Sequence, residues 1–220
     1  GNSLGYLFGL SYKHNENYYE NGIKGLWKLG GAGEDNLTKE HYYNDNQGEK
    51  EALWGAVGNI TYKFKSNNKI SLNLIKNQSG VSSARLMYGQ KPSDNIDDLI
   101  IETRKLQWLQ RSLNSGQLRG EHYIENLSKL RIEWTGSITE SRQDEPDMRF
   151  FTNSYYPDLE SPNDYQIEPA IYKVPTRFYR DMREMNYFGK TDFTLELGQQ
   201  NHAPKLKFGG LYSYKDRDFN

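Results

Sequence analysis

Residues 130–138 read Leu-Arg-Ile-Glu-Trp-Thr-Gly-Ser-Ile. Leu130, Ile132, Trp134, Gly136 and Ile138 share one phase, and Arg131, Glu133, Thr135 and Ser137 share the other. Successive side chains of a strand point to opposite faces, so this period of two predicts a strand with one apolar and one polar side. The pattern recurs along the chain. Ser3 to Lys13 sets Leu4, Tyr6, Phe8, Leu10 and Tyr12 against mostly polar or small neighbours, and Gly22 to Gly31 sets Ile23, Trp27 and Leu29 against Lys24 and Lys28. Glu51 to Lys65 is the longest clean stretch, with Trp54, Ile60, Tyr62 and Phe64 in one phase. It is followed by Ile70, Leu72 and Leu74, then by a poorly alternating stretch over about Lys105 to Tyr123, where Leu109 and Leu113 fit one register and Leu118 the other. Tyr187 to Leu197 and Leu206 to Tyr214 close the series. The reading is an all-β chain, an antiparallel up-and-down meander of about eight long strands.

Connections differ in length. His14 to Asn17, Ser66 to Asn68, Ile124 to Leu127 and Gln199 to Pro204 read as turns. Ala32 to Lys50, Gly80 to Thr103 and Arg142 to Arg183 read as long loops. Short and long alternate, as in outer-membrane barrels with trimmed periplasmic turns and long extracellular loops. The expected architecture is therefore part of a transmembrane β-barrel, apolar face to lipid and polar face to a water-filled lumen. Odd segments would run inward, which puts Trp54 at the outer interface and Tyr12, Tyr62 and Phe64 at the inner one.

Composition agrees with a barrel that has a polar interior. Aromatic residues make up 14%, with 17 Tyr and 20 Gly, while mean hydropathy is −0.93. A closed apolar core would be thin. A net charge of −1 gives no reason to expect nucleic acid. The absence of Cys excludes disulfide scaffolds and Cys-ligated zinc. No apolar run reaches the about 18–20 residues of a membrane helix, which leaves strand spans open. No signal peptide is evident, and a chain starting almost directly on one strand and ending on another reads as a piece of something longer.

Four strings resemble a family. They are Ser141-Arg-Gln-Asp-Glu-Pro-Asp-Met-Arg-Phe-Phe151, Arg177-Phe-Tyr-Arg-Asp-Met182, Ser112-Leu-Asn-Ser-Gly-Gln-Leu-Arg-Gly-Glu121, and Lys205-Leu-Lys-Phe-Gly-Gly-Leu-Tyr-Ser-Tyr214 with Lys215-Asp-Arg-Asp-Phe219. They are similar to barrel strands of TonB-dependent outer-membrane receptors of Bacteroidetes type, and the similarity runs over residues 1–220. The resemblance implies a segment of a twenty-two-stranded barrel wall in the bacterial cell outer membrane, serving nutrient uptake of glycan, siderophore or peptide. It implies as partners membrane lipid, the receptor's own plug domain, TonB and a surface lipoprotein. No TonB box or plug-like segment is present here. The alternatives are a soluble all-β carbohydrate-binding module and a self-contained eight-stranded outer-membrane barrel.

Catalytic chemistry finds little support, and the chain does not read as an enzyme. His14, His41, His122 and His202 lack ligand spacing. Asp144 and Glu145, near Asp147, are the one acid–base or Ca²⁺ candidate, without an Asp-x-Asp-x-Asp-Gly loop. No Gly-x-Ser-x-Gly or phosphate-cradling loop occurs, and no cofactor is expected. Lys24, Lys28, Lys63, Arg131, Glu133, Lys190, Asp192, Glu196, Lys205 and Lys207 fall in the polar phase, where they would pair with one another or dock a plug. The longest loop, which also holds Phe151, Tyr165, Tyr172 and Phe178, supplies the ligand candidates: Arg149, Phe150, Tyr155, Tyr156, Arg177 and Tyr179. Aromatic rings stack on sugar or ring faces, and arginines pair with anionic groups.

Overall fold

The computed structural model describes residues 1–220 except 31, 32, 34, 66, 93–97, 158–164, 168–173 and 199–203. It is one antiparallel sheet, with strands in sequence order. The strands are β1 (Ser3–Leu29), β2 (Leu37–Phe64), β3 (Asn68–Gln90), β4 (Ile100–Ile124), β5 (Leu130–Tyr155), β6 (Thr176–Glu196) and β7 (Lys205–Phe219). The class and meander are as the alternation predicts. Among the described residues the strands number seven rather than eight, and most are far longer than the alternating stretches.

The first two alternating segments are one strand. His14 to Asn17 does not turn: His14 faces Ala52 and Asn17 faces Glu49 in an unbroken ladder. β1 therefore runs away from the short turns, and Tyr12 sits opposite Trp54 rather than level with Tyr62 and Phe64. The three stretches read as long loops are largely strand. Residues 37–50 belong to β2, with 42–50 paired to β3, residues 80–89 pair with both β2 and β4, and 142–155 and 176–183 belong to β5 and β6. The real connections are 65–67, 125–129 and 197–204 at one end and, longer on average, 30–36, 91–99 and 156–175 at the other. Asp94, Asp97, Tyr172 and His202 lie outside the described residues.

Register defines the two faces. Reading across β1 to β7, one row is Leu4, Tyr62, Ile70, Gly120, Trp134, Thr191 and Gly210. The next is Tyr6, Ile60, Leu72, Leu118, Gly136, Gly189 and Tyr212, and the third is Phe8, Gly58, Leu74, Gly116, Ile138, Tyr187 and Tyr214. No ionisable acid or base other than tyrosine stands in these rows on any strand. Among the described residues no α-helix or second sheet covers this face, and Leu4, Phe8, Leu74 and Ile138 are all at least half exposed. Glycines at 58, 116, 136 and 189 leave a groove of about 1560 Å³ across it, whose rim reaches Lys76 and Glu140. Gly120 is required where it stands, because an added Cβ would clash with the Trp134 ring.

The opposite face at the same level is polar. Asn59 Nδ2 donates to Asn73 Oδ1 at 2.5 Å, and Asn73 Nδ2 donates to Gln117 Oε1 at 3.0 Å, an amide ladder over three strands. Hydroxyls of Thr61 and Ser71, and of Ser115 and Thr139, pair alongside it. Nearer the short turns, Arg119 and Arg131 each bridge Glu121 and Glu133, and Lys69 reaches Glu121. Lys190 pairs with Asp192, and Lys205 with Glu196. The polar-phase charges thus pair largely with one another. Leu109 and Leu113 lie on this face and Leu118 on the apolar one, which explains why β4 alternates poorly.

One bulge changes the phase of β5. Between Glu145 and Met148 the strand carries one more residue than β4 and β6. Pro146, which has no N–H to give a ladder, and Asp147, at φ 68°, occupy the irregularity. Before it, even-numbered residues share the apolar face. Beyond it, odd-numbered ones do.

Candidate functional site

The six ligand candidates do not form one loop site. Arg149, Phe150 and Tyr155 are on β5, Arg177 and Tyr179 are on β6, and Tyr156 follows β5 directly. The bulge and the pleat divide them between the faces. Arg149 lies directly opposite Arg177. Asp147 joins them: Arg177 Nε donates to its Oδ1 at 2.5 Å and Arg149 Nε to its Oδ2 at 2.8 Å. These bonds, Arg177's foremost, hold the Asp147 carboxyl far below the ordinary carboxylate range. The Arg177 guanidinium stands 5.7 Å from the Tyr179 ring centre. Phe150 faces the other way, edge-on to Phe178 at 6.2 Å and beneath Lys105 at 5.6 Å.

Tyr155 belongs to a separate cluster nearer the long connections. Its ring meets Tyr165 edge-on at 5.2 Å. Burial, then the charge of Glu102 and the neighbouring Tyr165 and Tyr88, push its hydroxyl pKa up. Behind it Thr152, Asn153 and Ser154 are buried, with Leu99 and Ile101. The backbone of Gln166 exchanges both hydrogen bonds with Ser154, at 2.9 and 2.8 Å, and so continues the ladder where β6 has left it.

Two buried carboxylates stand on the polar face: Asp45, which the sequence did not single out, and Glu145, half of the Asp144 and Glu145 candidate. Asp45 accepts from Arg85 Nε at 2.7 Å and Nη2 at 2.6 Å, and from the Tyr19 hydroxyl at 2.7 Å. Arg85, foremost, lowers its pKa against the opposing effect of burial. Glu145 accepts from Arg180 Nε at 2.6 Å and Gln107 at 3.2 Å. The Asp144 and Glu145 pair is therefore split by the pleat: Asp144 faces Asp181 on one side, and Glu145 is engaged by Arg180 on the other. No sequence motif marks these partners, because each comes from a neighbouring strand 26–40 positions away.

The described histidines do not converge. His14 contacts Glu16, His41 stacks on Tyr43, and His122 Nε2 accepts from Trp134 Nε1 at 3.1 Å while its Nδ1 faces Asn68. Among the described residues no group of three His, Cys, Asp or Glu side chains is placed to hold a metal ion.

The class that the fold defines is a long-stranded antiparallel meander with one apolar face uncovered. Comparison with known proteins adds no name to it: no family model matches the chain, and no curated protein matches it.

Proposed function

We propose that this chain is a stretch of transmembrane barrel wall from a TonB-dependent outer-membrane nutrient receptor. The observation that carries the reading is the belt of three cross-sheet rows without a charged side chain over all seven strands, backed at the same height by a charged and amide-rich face. A Lys or Arg facing mid-bilayer costs about 2–4 kcal/mol, so lipid contact selects such a belt, whereas a water-exposed face has no reason to keep one.

Height and slant support it. From Leu4 to Tyr12, at about 3.4 Å per residue, the apolar stretch of β1 is about 27 Å long. A tilt of about 35–45° lowers that to about 19–22 Å, near the thickness of an apolar barrel band. On β1 and β2 the belt extends to Tyr12 and Trp54, whereas Lys76 ends it on β3, and Tyr187 and Tyr214 end it on β6 and β7. A band level with a membrane crosses tilted strands on such a diagonal. Aromatic groups mark both margins: Tyr12, Trp54 and the Tyr187–Tyr214 pair at one, and the Tyr62–Phe64, His122–Trp134 and Phe193–Phe208 pairs at the other.

Strand number favours a segment over a self-closed barrel. Among the described residues β1 pairs with β2 alone and β7 with β6 alone. Being odd in a meander, both run the same way, so joining their free edges would give a parallel seam. Further strands are needed for an all-antiparallel wall. The receptor family is supported by the four resembling strings, which all fall on β4 to β7 and their charge pairs. Transport would fall to the whole receptor, with this stretch supplying wall and outer rim.

Bilayer depth tests the reading. Trp134 stands in the belt and Trp108 shares its face well beyond it. In lipid vesicles with brominated acyl chains, a variant retaining Trp134 alone is expected to be strongly quenched and one retaining Trp108 alone hardly at all. Equal quenching, or a monodisperse protein that stays in buffer and ignores vesicles, would point instead to a soluble carbohydrate-binding module.

A further inference from the structure

The apolar groove over the belt opens into a second cavity on the side of the long connections. Gly58, Gly116, Gly136 and Gly189 floor the groove, and its rim at Lys76 and Glu140 is also the near wall of a cavity of about 400 Å³ that reaches Arg142, Asp144 and Asp181. The charges of this cavity are sorted by sign. Arg142 Nε and Arg183 Nε both donate to Glu140 Oε1 at 2.9 Å. Among the described residues Lys76 has no carboxylate partner, and its Nζ stands 5.4 Å from the centre of the Trp54 ring. The groove end therefore carries a surplus of positive charge. Farther from the belt, Asp144 directly faces Asp181, and among the described residues neither carboxylate has an ion pair. Like charges directly opposite destabilise a sheet, and a bound cation would relieve them.

The order of these features says what fits. Away from the belt, a ligand meets an apolar groove, then cations, then paired carboxylates. A lipid with a phosphoethanolamine head has the same order: acyl chains, phosphate, ammonium. Its phosphate accepts from Lys76 and Arg142, and its primary ammonium has N–H donors for both aspartates. A glycerol head brings the aspartates no cation, and a choline head brings one without N–H donors. A bare metal ion finds no third His, Cys, Asp or Glu among the described residues. The span agrees as well. Glu140 shares the row of Lys76 through Asn114, and Asp144 lies four residues farther along β5, so the Lys76 and Asp144 backbones are about 17 Å apart. A lysine side chain and the head group together cover that distance.

We propose that the glycine groove and the cavity beyond it form a site for one diacyl phosphoethanolamine lipid, with its chains along the groove, its phosphate at Lys76 and Arg142, and its ammonium between Asp144 and Asp181. The site rests on the wall reading for its bilayer setting and adds a selected lipid to it.

The test uses the full chain with Trp134, which lines the groove, as its sole tryptophan. Vesicles of unlabelled phosphatidylcholine carry a minor share of one lipid with brominated acyl chains and an ethanolamine, glycerol or choline head. The ethanolamine lipid should quench Trp134 at least threefold more than either of the others. Lys76→Gln, the double change Asp144→Asn with Asp181→Asn, and Gly189→Leu should each reduce that quenching to the level of the choline lipid. An added Cβ at Gly189 meets nothing within 4 Å, so the last variant fills the groove without a clash. Each variant should still be quenched in wholly brominated vesicles, which shows that it folds and inserts. The site is overturned if the three heads quench equally, if the glycerol lipid quenches most, or if the variants keep the ethanolamine preference. A preference that appears only with added calcium chloride would make the aspartates a metal bridge and overturn it too, as would diphosphorylated lipid A displacing the brominated lipid better than unlabelled phosphatidylethanolamine does. Loss of the preference with quenching intact in wholly brominated vesicles removes the lipid site alone, whereas loss of both removes the wall reading.

Discussion

β2 is two kinds of strand laid end to end. From Phe64 back to Trp54 its side chains alternate between an apolar face and a polar one. From Lys50 back to Leu37 both faces are largely polar, and Asn, Asp, Gln and Glu stand beside tyrosines on either side. Backbone pairing is nonetheless continuous along both halves. Alternation therefore records what a face touches, not whether the backbone is extended. In the half near the short turns, register is enforced by the apolar belt, since a one-residue slip would turn charges into it. In the other half it is held by cross-strand bonds between named polar groups, such as Asp45 with Arg85 and Glu145 with Arg180.

The sharpest test of that contrast is one substitution made in each half on the same face. Leu74→Arg, in the third row of the belt, is expected to cost about 2–4 kcal/mol of folding stability in bilayers. Ala84→Arg, exposed and beyond the belt, should change it by less than about 0.5 kcal/mol. Denaturant titration in lipid vesicles measures both, and equal costs would abolish the distinction between the halves.

Next in size is the loss of a cross-strand anchor. Arg85→Met leaves the buried Asp45 carboxylate with the Tyr19 hydroxyl as its remaining side-chain donor, and is expected to cost about 1–3 kcal/mol. The pH dependence has a definite sign. Because the folded Asp45 pKa lies below its unfolded value of about 3.9, its contribution is complete above that value and is lost as pH falls through the lower folded pKa. Amide exchange at residues 43–47 and 84–88 should therefore quicken below about pH 4. Arg85→Met should remove most of that acid response, while residues 58–62 stay protected in both proteins. Acid-insensitive exchange at 43–47 would show that the anchor does not hold this half.

The smallest effect belongs to the amide ladder behind the belt. Asn73→Leu removes two side-chain bonds but places an apolar group on a partly buried surface, so about 1 kcal/mol is expected by equilibrium unfolding. A cost as large as that of Leu74→Arg would mean the polar face, not the belt, sets stability.

The same division decides what could be read from sequence. The sheet class, the two faces, the turn at 125–129 and the paired charges of the polar phase are legible because lipid-like apolarity imposes a period of two. The outer halves of β2, β3, β5 and β6 read as loops because that period vanishes where both faces are polar. The supposed turn at His14 to Asn17 misled for a related reason: Asn and Glu are turn formers in isolation, but here Asn15 faces Glu51 and Glu16 pairs with Lys50. Of the candidate site, the aromatic and arginine content was visible. Its distribution was not, because Arg149 and Phe150 take opposite faces only through pairing with β6.

The extra residue in β5 acts on the chain like a dropped beat. A ladder of single cysteines probed with a water-soluble maleimide would report every second residue as reactive up to about 144 and resume on the opposite parity from 149, while β4 kept time throughout. Deleting Asp147 would restore the rhythm and turn the end of the strand over, bringing Phe150 to the side that Arg149 now occupies and carrying Asn153 away from Glu102, which it now faces. One backbone unit thus decides which surface the last seven residues of β5 present.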